Sequence, residues 1–140
     1  MWFKVIDMIE KLEKRIMSLD SEIAHLDSRI DTLECYKRNT EELDELVQRS
    51  NELEEQKRKL LADQEAYVKM IMEKSYTLTE IEDNISYFED IVEAAQQELS
   101  KITKNNDAYL DKAAELNCSS RLLRFFERKL EEINRQSNKR

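Results

Sequence analysis

Glycine and proline are both absent from these 140 residues. At average usage a chain of this length would hold about 17 of them. Proline breaks helices and glycine serves the positive-φ positions of tight turns, so their loss leaves few means of sharp reversal and favours continuous helix. Phosphate-cradling loops and nucleophile elbows depend on glycine and are excluded with it. There is one histidine, His25, and there are two cysteines, Cys35 and Cys118, far apart in sequence. A metal site needs several convergent ligands, and none accompany His25. No enzymatic activity, cofactor or metal is expected. No run nears the roughly 18 apolar residues of a membrane span. Lys4 and Asp7 interrupt any signal-peptide apolar region, which places the chain in the cytoplasm or nucleus, and the sequons at Asn84 and Asn117 read as chance matches.

What remains is charged and aliphatic. Asp, Glu, Lys and Arg make up 39%, hydrophobic residues 40% and aromatics 7%, the composition of a long helix or coiled coil. A single helix of this length would reach roughly 210 Å, so its apolar stripe must be covered by other helices. Net charge is −8. Arg121 to Arg140 holds seven basic and three acidic residues, leaving 16 basic and 28 acidic in the first 120. Such an acidic body argues against nucleic-acid binding, which needs a basic face.

The first segment reads as a clean heptad. Trp2, Ile9, Ile16, Ile23 and Ile30 fall at a, and Val5, Leu12, Leu19, Leu26 and Leu33 at d. Isoleucine at a with leucine at d favours two parallel strands. In a parallel homodimer Arg15 would pair with Asp20 and Arg29 with Glu34, while Glu22 would face Asp27 unfavourably. His25 falls at c, and Cys35 and Cys118 at f, all facing away from the seam.

The phase slips after Leu33. Asn39 with Glu42 resembles a capping box, placing a break between Tyr36 and Thr40. From Leu43 a second frame runs to Leu130 without another slip. Its d positions are apolar except Lys74, and its a positions are interrupted by Ser50, Lys57, Gln64, Asn106, Ser120 and Glu127. A hairpin usually resets the phase at its loop, so this continuity predicts an extended rod. Val47, Leu61, Val68 and Leu110 at e, with Met70, Ile91 and Phe126 at g, widen the seam toward a larger bundle. Thr79 with Glu82, and the triplet Asn105-Asn106-Asp107, are the points where the rod could fold back.

Two further features are candidates for specific roles. Asn106 at a either fixes register or belongs to a local turn. Arg121, Arg124, Phe125 and Arg128 lie on a basic amphipathic segment that could meet a partner or a membrane surface, although Leu123, Phe126 and Leu130 suit core packing.

The stretches RSNELEEQKRKLLADQ (Arg49 to Gln64) and ISYFEDI (Ile85 to Ile91) resemble the N-terminal helical region of the third subunit of the conserved oligomeric Golgi complex. That resemblance implies a vesicle-tethering scaffold, with Leu60, Leu61, Tyr87 and Phe88 among its packing residues. The proline-containing stretch usual after Ser-Tyr-Phe is missing.

The sequence thus predicts an all-α, elongated coiled coil, a two-stranded parallel zipper continuing into a broader bundle. Residues 1–35 form the dimerisation segment, 40–134 the long segment and 135–140 a basic tail. Its function is oligomerisation and scaffolding with itself or partner helices; a kinetochore or cytoskeletal subunit, or a membrane-surface protein, are the alternatives. The interface residues are Ile9, Leu12, Ile16, Leu19, Ile23, Leu26, Ile30 and Leu33, then Ile71, Leu78, Ile81, Ile85, Phe88, Val92, Leu99 and Ile102.

Overall fold

Helices dominate because nothing in the chain stops them except polar caps. The computed structural model describes residues 2–36, 40–104 and 106–138. They form four helices: α1 (Phe3–Tyr36), α2 (Thr40–Met72), α3 (Leu78–Leu99) and α4 (Asp107–Asn138). No strand occurs among the described residues. The protein is all-α.

Helix ends use Thr, Ser and Asn where glycine is missing. Thr77 caps α3: its hydroxyl accepts from the Glu80 amide at 3.2 Å, and Glu80 accepts from the Thr77 amide at 3.0 Å. The box expected at Thr79 and Glu82 therefore sits two residues earlier. At the other end of α3 the Ser100 hydroxyl donates to the Gln97 carbonyl at 2.6 Å, and the Lys101 amide reaches Glu98 at 3.0 Å. Such short-range bonds satisfy terminal carbonyls without a positive-φ residue. Asn106 Oδ1 accepts from the Ala108 amide at 3.0 Å and opens α4. It is exposed in the connection between α3 and α4. Asn39, half of the expected first box, lies outside the described residues.

α1 and α2 run antiparallel. Asp20 bonds Lys57 at 2.6 Å, Asp27 accepts from Ser50 at 3.0 Å, and Arg29 meets Glu42 at 3.1 Å. α3 and α4 form a second hairpin, and the two hairpins meet along α1 and α4. This corrects the extended rod. The segment 40–134 holds three helices, and the connections at 73–77 and 100–106 happen to preserve the heptad frame. α4 also runs through the expected tail as far as Asn138.

The parallel zipper is corrected for the same reason. Ile9, Ile16, Leu19 and Ile23 are buried, as their spacing demands, but the helices that cover them belong to the same chain. Asp20 and Arg29 spend their charges on α2 rather than on a copy of α1. A tethered neighbour has a high effective concentration and wins over a separate molecule.

Two clusters form the interior. The larger draws on all four helices: Ile9, Val68, Ile71, Ile81, Phe88, Cys118, Leu122 and Phe126. The smaller contains Leu19, Ile23 and Leu53, with Leu26 and Leu60 against it, from α1 and α2 alone. Each fully buried aliphatic or aromatic side chain contributes about 1.5–3 kcal/mol relative to exposure. In α4 the buried stripe is Ala114, Cys118, Leu122 and Phe126, rotated from the expected a/d line. Cys118, expected to face outward, is therefore buried, while Cys35 is exposed.

Candidate interaction surfaces

Three surfaces follow from this packing. The first is the limb formed by α1 and α2 beyond Asp20. Lys14 bridges to Asp107 at 3.1 Å and Asp111 at 2.8 Å, and Asn117 lies 3.8 Å from the Met17 sulfur. Past this level, the bonds, ion pairs and core cluster shown by the described residues join α1 to α2 alone. Leu26, Ile30 and Leu33 on α1, with Leu43 and Leu46 on α2, are only half-buried, and Val47 is exposed. Two helices shelter only the facing strip of each other. Leu26, Ile30 and Leu33 are the expected interface residues that this limb leaves incompletely covered.

Polar a positions lie within this hairpin. Ser50 and Gln64 are buried, and Lys57 pairs with Asp20. In a parallel rod they looked like defects; between antiparallel helices each finds a polar partner on α1.

The second surface is the basic end of α4. Arg121 bridges to Glu65 on α2 at 2.7 Å. Arg124 and Arg128 are exposed beside Glu127 and Glu131. The two adjacent phenylalanines divide: Phe126 is buried, stacked on Phe88 at 6.0 Å and edge-on to Tyr76 at 5.0 Å, while Phe125 is half-buried under Lys129. Phe126 thus faces inward, and α4 presents charge outward here.

The third is a cavity of about 320 Å³ where the start of α1 meets α3. Trp2, Phe3, Ile6, Ile71, Phe88 and Phe126 line it, with Asp83, Asn84 and Tyr87 on the α3 side. Lys74 lies 5.6 Å over the Trp2 ring, and the indole N–H is shielded from water. Heptad spacing puts Trp2 on a zipper seam and does not connect it with Tyr87. Their signal was the clustering of aromatics at 2–3 and 87–88, which only the fold brings together.

The remaining α3 residues from the expected interface pack unevenly. Ile81 and Phe88 are buried, Ile85, Val92, Leu99 and Ile102 half-buried, and Leu78 exposed. Leu12 is half-buried on α1, and Ile71 is buried at the end of α2.

Charge is also buried along the α1–α4 seam. Burial foremost, then Glu115 and Asp7, push the Glu10 carboxyl up from 4.5 to about 7, against the pull of Lys112. Lys112 bridges Glu98 and Glu115, each at 3.2 Å, and those bonds hold its ammonium above the usual lysine range. Burial, followed by Glu13 and Glu10, pushes the Cys118 thiol well above its ordinary value. Deprotonation is thereby suppressed, and the thiol behaves as a small apolar group.

Among the described residues, no group of three or more His, Cys, Asp or Glu side chains is placed to hold a metal ion. No described helix is long and apolar enough to cross a membrane. Comparison with protein-family models, curated proteins and solved structures returns no match.

Proposed function

We propose that the protein is a helical scaffold subunit that assembles through the α1–α2 limb with helices of another chain. The observation that carries this reading is the apolar strip Leu26, Ile30, Leu33, Leu43 and Leu46, half-covered where the third and fourth helices no longer reach. A partner helix laid along the limb would extend the bundle geometry already present at its base. Such a seam is the coiled-coil role that the sequence suggests, in a hairpin rather than a zipper. The vesicle-tethering setting rests on the resemblance of Arg49–Gln64 and Ile85–Ile91 alone.

Small-angle scattering with an absolute mass, joined to hydrogen exchange, tests it. A mass above 16.8 kDa, falling to that of one chain in an Ile30→Asp, Leu33→Asp variant of unchanged helicity, supports the reading. A chain that stays monomeric and protects its limb amides as strongly as those of its base has no uncovered seam, and the reading fails.

A further inference from the structure

The cavity at the start of α1 has an apolar floor and an acidic wall. Between Leu78 and Leu99 the chain has seven carboxylates, Glu80, Glu82, Asp83, Glu89, Asp90, Glu93 and Glu98, and no Lys or Arg. Glu80 is held by Thr77 and Lys74, and Glu98 by Lys112. The other five are exposed, and no ion pair reaches them among the described residues.

Asp83, Tyr87 and Asp90 follow at four- and three-residue steps, which sets them on one face of α3. Asp83 and Tyr87 border the cavity. Phe3 is 65% exposed and Tyr87 40% exposed, and their rings meet edge-on at 6.1 Å across the mouth. Two large aromatics are thus kept in water next to a hollow that neither fills. A volume of about 320 Å³ stands at the lower bound of small-molecule pockets. It suits one or two bulky side chains.

We propose that this α1–α3 groove docks a basic amphipathic helix of another protein, one bulky apolar side chain packing into the hollow against Phe3 and Tyr87 while Lys or Arg face Asp83 and Asp90. Charge selects the occupant. The first 120 residues of a second copy would bring 28 acidic against 16 basic residues to an acidic wall, and an anionic lipid surface would be repelled in the same way. A helix with apolar anchors at i, i+3 or i+4 and cations beside them answers both the floor and the wall. This site is separate from the limb, so either can fail without the other.

Trp2 is the only tryptophan in the chain and lines the groove, so its fluorescence reports occupancy. The probe is a tryptophan-free peptide of about 15 residues, four helical turns, made of Lys and Leu at helical spacing with one central Phe. Its counterpart carries Glu in place of every Lys. The Lys peptide is expected to change Trp2 emission saturably, with an affinity that falls as salt is raised. Tyr87→Ala and Phe3→Ala, which remove exposed rings, are expected to weaken it roughly tenfold or more. Asp83→Asn with Asp90→Asn should weaken it and flatten the salt dependence. Equal response to both peptides overturns the proposal, as does unaltered binding of the Lys peptide by the Tyr87→Ala variant. Self-association abolished by Tyr87→Ala would give the groove to a second copy, and a Trp2 response to anionic vesicles lost in Tyr87→Ala would give it to a lipid surface; either result overturns it too.

Discussion

The Gln64 side chain donates a hydrogen bond to the Ile9 carbonyl at 3.2 Å, joining α2 to α1 inside the bundle. The same amide group donates to Glu13 Oε2 at 3.0 Å. A buried amide with two specific acceptors holds the helices in one register, because sliding either helix would leave it unpaired. Gln64→Ala is expected to cost about 1–3 kcal/mol, read as a lower urea midpoint. An unchanged midpoint would mean that the apolar residues alone set the register.

Glu10 gives the seam between the hairpins a pH dependence of defined sign. Below about pH 4.5 it is protonated whether folded or unfolded, and costs nothing. Between 4.5 and about 7 the unfolded chain releases its proton first, so this group's contribution to stability falls as pH rises. Above about 7 the whole penalty remains. After allowance for solvent screening, Glu10→Gln should stabilise the chain by about 1–2 kcal/mol at pH 8 and have little effect at pH 4. Urea titrations at both values check it; equal effects at the two would remove the burial of this charge as a cause.

The two thiols should differ in reactivity. Cys35 is exposed on the limb, and Cys118 is buried with its thiolate disfavoured. A disulfide reagent should label Cys35 at once in native protein and Cys118 only as the bundle opens. Simultaneous labelling of both without denaturant would contradict the burial of the α4 stripe.

Adjacent phenylalanines on α4 should respond unequally. Phe126 is buried among Phe88, Tyr76 and Phe125, and Phe126→Ala is expected to cost about 3–5 kcal/mol. Phe125 is half-buried, and its alanine variant should cost clearly less. Thermal melts of the two variants settle the order.

Periodicity made the helices and most buried faces legible. Ile9, Ile16, Leu19, Ile23, Ile71, Ile81 and Phe88 were all on the expected seam and are buried. Direction was not legible, because a heptad stripe is covered equally well by a parallel copy or by an antiparallel neighbour in the same chain. Continuity of phase from Leu43 to Leu130 misled for a related reason: Thr77 and Asn106 end and restart helices without shifting the frame. The α4 stripe moved to Ala114, Cys118 and Leu122 because α4 faces both α1 and α3, a two-sided demand that one heptad line does not express. The groove drew on residues 85 apart in sequence, Trp2 and Tyr87, which no local pattern connects.

The limb also has a mechanical consequence. From Asp20 to Tyr36 α1 continues for about 24 Å, and among the described residues no bond, ion pair or core cluster braces it with a third helix. Swinging it by about 10° about its root near Met17 would carry the tip through about 5 Å. A slight rearrangement where the hairpins join is thus magnified at the far end, where Cys35 offers a ready point of attachment for a distance probe.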